Sequence, residues 1–266
     1  MRVHHLNCGT MRPYGAQEGL VCHVLLIEAE TSLALVDSGL GLQDIAHPGA
    51  RIGPVRFFLR PVLQESETAI RQVEKLGFDA EDVRDIVLTH FDLDHVGGLT
   101  DFPWARVHVT AAEATGALNA TTLIEKVRYK PAQRAHNPAL VQYAFGAGDD
   151  WRGFAAAKEL NDIAPGIVLI DLPGHTRGHA AVAVEVGDRW LLHVGDSFYH
   201  HRQIDRTGKA PASLRLLERL LAFNWTKVQS NHARLASLWY AGEPSLALMN
   251  SHDPNLLRQA QARATT

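Results

Sequence analysis

Residues 86–98 read IVLTHFDLDHVGG, an apolar run that passes directly into a cluster of polar groups. The run is typical of a short buried strand, and four side chains able to bind metal follow it within six positions, namely His90, Asp92, Asp94 and His95. Alternate residues of an extended segment share a face, so the first three can converge on one point. The paired glycines that follow permit a tight turn or a close backbone approach. The pattern predicts a metal-binding loop at the end of a strand.

The composition is that of a globular protein with little net charge. The 266 residues are 46% hydrophobic, enough to bury a sizeable core in one large domain or two small ones. Lys and Arg number 26 against 29 Asp and Glu, for a net charge of −3, which disfavours a nucleic-acid partner. Histidine, at 15 residues, is the informative excess, because several histidines follow strand-like runs.

Cysteine usage and hydropathy bear on the compartment. Cys8 and Cys22 form neither a disulfide framework nor a CxxC metal pair. Residues 1–15 lack the apolar core of a signal peptide, and no apolar run approaches the roughly 20 residues of a membrane span. We therefore expect a cytoplasmic protein without a membrane partner.

Strand-like and helix-like segments alternate along the chain, which predicts the α/β class. Strands are expected at 20–29, 32–37, 86–89, 105–109, 166–172, 180–186, 190–194 and 245–250. Helices are expected at 66–76, 111–118, 123–132, 213–223 and 228–240, with a short helix closing the chain. No internal repeat or linker interrupts this pattern, so one domain is the simplest interpretation.

Two segments leave alternatives open. In residues 49–63 we interpret Phe57 and Phe58 as core packing rather than as a flap over a pocket, since apolar side chains are usually core. Residues 110–162 are the least regular part of the chain. They contain a basic cluster that we interpret as a solvated helix face rather than an anion site; its members are Lys126, Arg128, Lys130 and Arg134.

Polar groups also follow several other predicted strands. Asp37, Asp196 and His252 each come directly after one, and a further strand leads into His175. Side chains gathered at one edge of a sheet make a site that the apolar strands hold rigid. Seven candidate ligands exceed what one tetrahedral zinc needs but suit two ions about 3.5–4 Å apart; they are His90, Asp92, Asp94, His95, His175, Asp196 and His252.

In this order the motifs resemble the metallo-β-lactamase superfamily, whose HxHxDH signature is followed by a later His, an Asp and a final His. Here the signature stands as HFDLDH at 90–95, and the later residues are His175 in PGHTRGH, Asp196 in HVGDS and His252 in NSHDP. One such motif is a weak signal, whereas all of them in order are specific. The resemblance covers roughly residues 20–255. It implies a four-layer αββα sandwich, one domain over 1–266, and a helical insertion at 110–162 near the pocket.

The resemblance also assigns roles. One divalent ion would be held by His90, Asp92 and His175, and a second by Asp94, His95 and His252. Asp196 would bridge the two ions opposite a bridging hydroxide, and Asp37 would brace the metal loop from outside the ligand set.

The chain departs from the family pattern at Asp92, where the family usually has histidine. A carboxylate is a harder ligand and adds negative charge, which favours iron or manganese at that position relative to an imidazole. The alternative is that Asp92 does not bind metal and only one position fills tightly. We expect two divalent ions, zinc first, with iron or manganese left open by Asp92.

Four residues near these motifs need separate interpretation. Tyr199 stands three positions after Asp196, as in family members that open acyl-homoserine lactones, so it is either an electrophilic catalytic group or a packing residue. We expect structural roles for the histidines at positions 179, 193 and 232.

The predicted function is hydrolysis by a dinuclear centre whose bridging hydroxide attacks a small lactone or ester. Asp94 or Asp196 would move the proton. The alternatives are an iron-dependent oxidoreductase or dioxygenase of the same fold, a phosphodiesterase, and a scaffold with a vestigial site, against which the nearly full ligand set argues. Family members are often dimers, which leaves a homodimer open.

Overall fold

Two six-stranded sheets form the centre of the computed structural model, which describes residues 1–146 and 149–264. The strands of the first sheet lie side by side in chain order, as β1 (Arg2–Met11), β2 (Leu20–Glu28), β3 (Leu33–Val36), β4 (Val83–Val87), β5 (Arg106–Thr110) and β6 (Ala139–Tyr143). The first three strands pair antiparallel, and β3 to β6 pair parallel.

The second sheet also keeps chain order, with its last strand at one edge. Its strands are β7 (Asp149–Trp151), β8 (Phe154–Glu159), β9 (Ile167–Asp171), β10 (Ala180–Val186), β11 (Arg189–His193) and β12 (Leu246–Met249). All its neighbours pair antiparallel except β11 and β12, which pair parallel.

Helices cover the sheets and connect their strands. They are α1 (Leu42–Ala46), α2 (Pro48–Arg51), α3 (Arg56–Leu59), α4 (Ala69–Lys75), α5 (Leu93–Val96), α6 (Ala111–Leu118), α7 (Leu123–Arg128), α8 (Ala212–Leu221), α9 (Trp225–Ala241) and α10 (Pro254–Ala264). None of the helices in the described ranges is both long and apolar enough to cross a bilayer.

Alternation along the strands produces the layers, because successive side chains of a strand point to opposite faces. In β4, Val87 packs between the sheets with residues such as Val182 of β10. Its neighbour Ile86 points the other way, into a core shared with α4 and α6. On the far side, Leu192 of β11 packs with Leu235 of α9. Helix, sheet, sheet and helix follow in that order, which confirms the predicted αββα sandwich.

The predicted helical insertion at 110–162 is only partly helical. Helices α6 and α7 and a 3-10 turn at Pro131–Arg134 occupy its first part, whereas β6, β7 and β8 complete the two sheets. The Ala-rich sequence of β8 and the half-exposed faces of β6 carry little strand signal. The prediction of one domain over residues 1–266 stays a prediction.

Strand β1 was not anticipated either. Its sequence, RVHHLNCGTM, mixes polar and apolar residues and is interrupted by a register shift in its pairing with β2 between Asn7 and Thr10. A clean alternation is what a single sequence displays for a strand. The strand β1 is therefore stabilised by its pairing with β2, which the local sequence pattern does not indicate.

Candidate metal centre

All seven predicted ligands meet where strands of both sheets end. Their ligand atoms fall into two groups, each with its atoms within 4.8 Å of one another: His90, Asp92, His175 and Asp196 in the first group, and Asp94, His95 and His252 in the second. Asp196 also reaches the second group, with Oδ1 3.3 Å from His95 Nε2 and Oδ2 3.0 Å from His252 Nε2. The arrangement matches the pairing of residues that the family resemblance implies.

The chain turn after β4 separates the two groups. Asp92 is extended and precedes α5, whose first turn carries Asp94 and His95. This winding brings His95 round so that Nε2 lies 3.3 Å from Asp196 Oδ1. The paired glycines then allow close packing: a Cβ on Gly98 would lie 2.6 Å from the Ser38 carbonyl oxygen, so only glycine fits there.

Of the four histidines among the candidate ligands, three have an Nδ1 atom that faces a hydrogen-bond partner outside the metal centre. His95 Nδ1 donates to Asp37 Oδ2 at 2.8 Å, and His252 Nδ1 donates to the Val21 carbonyl at 2.8 Å. His90 Nδ1 lies 3.0 Å from the Thr89 hydroxyl. A proton held on Nδ1 leaves the Nε2 lone pair for a metal, which is the usual way that proteins fix a histidine ligand.

Asp37 provides the predicted brace. Its carboxylate accepts hydrogen bonds from the Thr89 backbone N–H at 2.8 Å and the Thr89 hydroxyl at 2.8 Å, besides the one from His95. Asp37 is buried and has a left-handed φ of 59°, which turns the chain directly after β3. The brace therefore joins the ends of two parallel strands to one of the candidate ligands.

The unsatisfied atoms of this cluster fit a bound cation. His90 Nε2, His95 Nε2 and Asp196 Oδ1 are buried and have no hydrogen-bond partner within residues 1–146 and 149–264. Buried polar atoms left without a partner cost free energy. Imidazole nitrogens and carboxylate oxygens facing one another are a donor set that divalent ions accept.

A model of the metallo-beta-lactamase superfamily matches residues 18–238 of the sequence. The chain belongs to this superfamily. A probable metallo-hydrolase of Mycobacterium tuberculosis is 50% identical over 264 residues, covering 99% of this chain and 84% of the relative. The chain is accordingly a hydrolase of the metallo-β-lactamase fold.

The more distant relatives of this chain include lactonases. The N-acyl homoserine lactonase AttM of Agrobacterium fabrum is 25% identical over 210 residues, 70% of this chain and 72% of that protein. A solved N-acyl homoserine lactone hydrolase, with N-hexanoyl-L-homoserine bound at its catalytic metal centre, superposes with a TM-score of 0.72 over 97% of this chain and 95% of its own. At 19% identity, that structural likeness shows the fold alone.

Glu113 of α6 connects several loops of the metallo-hydrolase, and it was not singled out from the sequence. Its carboxylate accepts from the backbone N–H of Phe91 at 2.9 Å and of Gly178 at 3.0 Å. It also accepts from the hydroxyls of Thr176 at 2.7 Å and Tyr129 at 3.0 Å. The only local signal is Glu113 three residues after Thr110, a spacing that predicts helix capping instead.

Substituting Glu113→Ala leaves these four donors without their acceptor. Because each unsatisfied buried donor costs roughly 1–3 kcal/mol, we expect the free energy of unfolding to fall by at least about 3 kcal/mol in urea denaturation. Glu30→Ala, at an exposed position, is the control and should change it by less than about 0.5 kcal/mol. Equal effects of the two substitutions would contradict the role given to Glu113.

The three histidines predicted to be structural all have hydrogen-bond partners for that role, and His179 and His193 are also fully buried. His179 Nδ1 lies 3.0 Å from the Leu172 carbonyl, and Nε2 accepts from the Asp196 N–H at 3.0 Å. His193 donates to the His23 carbonyl at 2.9 Å, and His232 Nε2 is 2.8 Å from Glu218 Oε1. His179 in addition holds the backbone of a candidate ligand in place.

A third group of ligand-type side chains, His200, His201 and Asp253, has a structural explanation. Asp253 Oδ1 accepts from the backbone N–H groups of Asn255 and Leu256 at the start of α10. Its other oxygen accepts from the His201 N–H at 2.6 Å. The carboxylate is therefore occupied in joining the Tyr199 loop to the last helix.

Without metal, the carboxylates of the centre favour the protonated form of two of its histidines, His95 and His252. Burial opposes the charged form, but the Asp196 carboxylate prevails and raises the pKa of His252 to about 9. His95 follows the same pattern, its pKa raised by Asp196 and Asp37 against burial. Metal binding therefore has to displace protons, since a histidine ligand is neutral.

This charge balance predicts an unusual loss of stability at alkaline pH. Because the folded-state pKa of His252 exceeds its ordinary value of 6.5, its proton stabilises the metal-free fold below about pH 6.5, and that contribution disappears as pH rises through about 9. We expect the free energy of unfolding of the metal-free protein to fall by about 3 kcal/mol over this range. Denaturant unfolding of chelated protein between pH 6.5 and 10 should show it, with His252→Asn as the control that lacks it. Metal-loaded protein that loses the same stability would contradict this explanation.

A cavity of about 420 Å³ opens from the candidate centre to the surface. The floor is polar, with Asp92, Asp94, Asp196 and His252, and the walls are apolar; they include Phe58, Leu123, Ile124, Val127, Leu217 and Leu220. Helices α3, α7 and α8 supply these walls, so residues 49–63 contribute to the cavity together with the segment 110–162 that was predicted to lie near the pocket. An apolar wall above a polar floor is suited to a substrate with a hydrophobic part.

The interpretation of Phe57 and Phe58 as core was wrong. Their side chains are 68% and 43% exposed, and Phe58 lines the cavity. Both residues belong to the short helix α3, and the Arg56 guanidinium lies 4.2 Å from the Phe57 ring centroid. No local sequence pattern distinguishes an apolar residue at a pocket mouth, such as Phe58, from a core residue.

Tyr199 lies at the cavity, as its spacing from Asp196 suggested. Its ring centroid is 6.0 Å from that of His175 and 5.4 Å from that of His252. Burial, together with the Asp196 carboxylate, raises the pKa of Tyr199 well above its usual range, so the phenol keeps its proton at neutral pH. Gln203 fixes this loop by accepting from the Tyr199 N–H at 2.9 Å.

Arg128 is not part of a solvated helix face, so that interpretation of the basic cluster was wrong at this position. Its side chain is 7% exposed, and Nε lies 3.4 Å from Asp92 Oδ1. Its acceptors lie far away in the sequence, which is why a local charge pattern could not identify it. Lys126, in contrast, is exposed as predicted.

Proposed function

We propose that this metallo-hydrolase opens small lactones or esters that carry an apolar acyl group, using a dinuclear metal centre. The observation that supports it best is the pairing of two ligand groups through Asp196 at the floor of an apolar cavity. The proposal assigns His90, Asp92 and His175 to one ion, Asp94, His95 and His252 to the other, and Asp196 to both. Two divalent ions, when bound, would polarise the substrate carbonyl and lower the pKa of a coordinated water.

The residues of the chain would supply the remaining steps. Asp94, whose Oδ2 is 3.6 Å from His252 Nε2, faces the cavity and can accept and pass on a proton. Tyr199, protonated and at the cavity wall, can donate a hydrogen bond to the substrate carbonyl or to the leaving oxygen. The apolar walls would hold the acyl group and exclude water.

The lactonases among the relatives support the substrate class. AttM, which is similar in sequence over 70% of this chain, is an N-acyl homoserine lactonase. A cavity of about 420 Å³ falls within the usual range for small-molecule sites. Zinc is the metal we expect first, and the cytoplasmic location and the homodimer stay predictions.

One observation favours a second candidate function. Asp92 puts a third carboxylate into the ligand set, and hard oxygen ligands favour iron or manganese over zinc. An iron-dependent oxidoreductase or dioxygenase of the same fold is therefore the alternative. It predicts iron in the purified protein and oxygen uptake with its substrate.

A substrate panel separates these functions. Acyl lactones of increasing chain length, aryl esters, thioesters, phosphodiesters and β-lactams would be assayed with metal-loaded protein under the same conditions. We expect turnover of lactones or esters, with kcat/KM rising with chain length until the cavity is filled. Turnover of a phosphodiester alone, or iron-dependent oxygen uptake without hydrolysis, would reject the proposed function.

A further inference from the structure

Asp92 brings a negative charge to a position where the family usually has a neutral imidazole, and Arg128 lies against it. Arg128 Nε is 3.4 Å from Asp92 Oδ1, while Oδ2 is 3.0 Å from His175 Nε2 and 3.4 Å from His90 Nε2. The two oxygens thus face different partners. The side chains of Asp92 and Arg128 are only 13% and 7% exposed, so water screens their interaction little.

The other donors of Arg128 are directed to backbone carbonyls. Nη1 donates to the His175 carbonyl at 2.9 Å, and Nη2 donates to the Leu221 carbonyl. One guanidinium thereby joins α7, the loop that carries His175 and the end of α8. Because its nitrogens already face these acceptors, the arrangement argues for a positioning residue rather than an anchor for an anionic substrate.

We propose that Arg128 is the charge partner that allows Asp92 to replace a neutral ligand, so that the two residues act as one unit in metal binding. The inference rests on the proposed metal centre. With Arg128 in place, the first ligand group has the net charge it would have with an imidazole at position 92. Lysine could not replace Arg128 fully, because a single ammonium cannot reproduce the planar fork that reaches three elements.

A double-mutant cycle tests this unit. Zn²⁺ affinity would be measured by competition with a chromophoric chelator, at constant pH, for the wild type, Asp92→His, Arg128→Met and the double variant. Asp92→His alone leaves a buried guanidinium unpaired beside the ligands, so we expect the affinity for one of two Zn²⁺ equivalents to fall at least about tenfold. Adding Arg128→Met to the Asp92→His protein should raise the Zn²⁺ affinity again by at least about tenfold, although the double variant lacks a further native side chain.

A matched control separates charge pairing from loss of a tether. Arg177 Nε donates to Glu125 Oε1 at 2.8 Å, and so also connects the His175 loop to α7, but Glu125 is no candidate ligand. Arg177→Met should change Zn²⁺ affinity less than about twofold. The melting temperatures of the wild type and the three variants of the cycle, all metal-free, give a second measure of the coupling between Asp92 and Arg128. We expect it to have the same sign as the coupling measured by Zn²⁺ affinity.

The outcomes distinguish this inference from the function on which it rests. The role of Arg128 alone is overturned if Asp92→His and the double variant bind Zn²⁺ equally tightly. It is also overturned if the effects of the two single substitutions on Zn²⁺ affinity simply multiply in the double variant. Wild-type protein that binds neither Zn²⁺ nor Mn²⁺ overturns the metal centre and this inference with it. If Asp92→His does not fold, Arg128→Lys replaces it: it should retain Zn²⁺ affinity better than Arg128→Met, and equal losses overturn the inference.

Discussion

Asp196→Asn should remove most of the hydrolytic activity, by at least about 10²-fold in kcat/KM. Asp196 is the residue that contacts both ligand groups, through Oδ1 toward His95 and Oδ2 toward His252 and His175. An amide keeps the shape but loses the charge and one of the two oxygen donors. Loss of a residue that merely orients a ligand typically costs 10–100-fold in metal affinity or activity, so a shared ligand should cost more.

The measurement pairs steady-state kinetics with metal analysis of the same sample. We expect the metal content of Asp196→Asn to fall below that of the wild type together with the rate. Asp205→Asn is the control, since Asp205 lies on the following loop and accepts from Thr207, away from the candidate ligands. An Asp196→Asn protein with wild-type metal content and rate would show that this carboxylate does not join two ions.

Tyr199→Phe should have the second largest effect, a fall in kcat of about 10²-fold with little change in KM. The phenol is held protonated at the cavity, and its loop is fixed by Gln203. Losing one donor to a developing oxyanion typically costs about 10²–10³-fold in kcat. The substitution removes only a hydroxyl, so packing of the ring should persist.

The comparison that decides the role of Tyr199 is with Tyr240→Phe. Tyr240 of α9 donates to the Asp205 carbonyl at 2.6 Å and lies outside the cavity lining. The Tyr240→Phe protein should keep wild-type kinetics, although it also loses a hydrogen bond that a tyrosine hydroxyl donates. If Tyr199→Phe also keeps wild-type kcat, Tyr199 is a packing residue, which is the alternative that its sequence position left open.

The candidate ligands could be predicted from the sequence because their signal is local or strictly ordered. His90 to His95 lie within six consecutive positions, and the later residues follow strand-like runs whose ends meet at one edge. Gly98 could be read in the same way, since a close backbone approach leaves room for no side chain. The α/β class followed from the regular alternation of strand-like and helix-like segments, whereas the αββα layering followed from the family resemblance.

Apart from Asp37, the supporting residues could not be predicted, because their roles depend on contacts between distant parts of the chain. Glu113 collects donors from residues 91, 129, 176 and 178, and no spacing around it indicates this. Arg128 resembles its solvated neighbours in sequence and differs only in having Asp92 beside it. Phe58 has the hydropathy of a core residue but lies at the mouth of a cavity.

Metal content of the purified protein tests the dinuclear centre most directly. Elemental analysis would be performed on protein as purified, after dialysis against a chelator, and after reconstitution with Zn²⁺, Mn²⁺ or Fe²⁺, with lactone hydrolysis assayed at each stage. We expect two metal ions per chain, loss of hydrolysis on chelation, and recovery in proportion to the metal restored. Full activity in protein that retains no metal would contradict the proposed function.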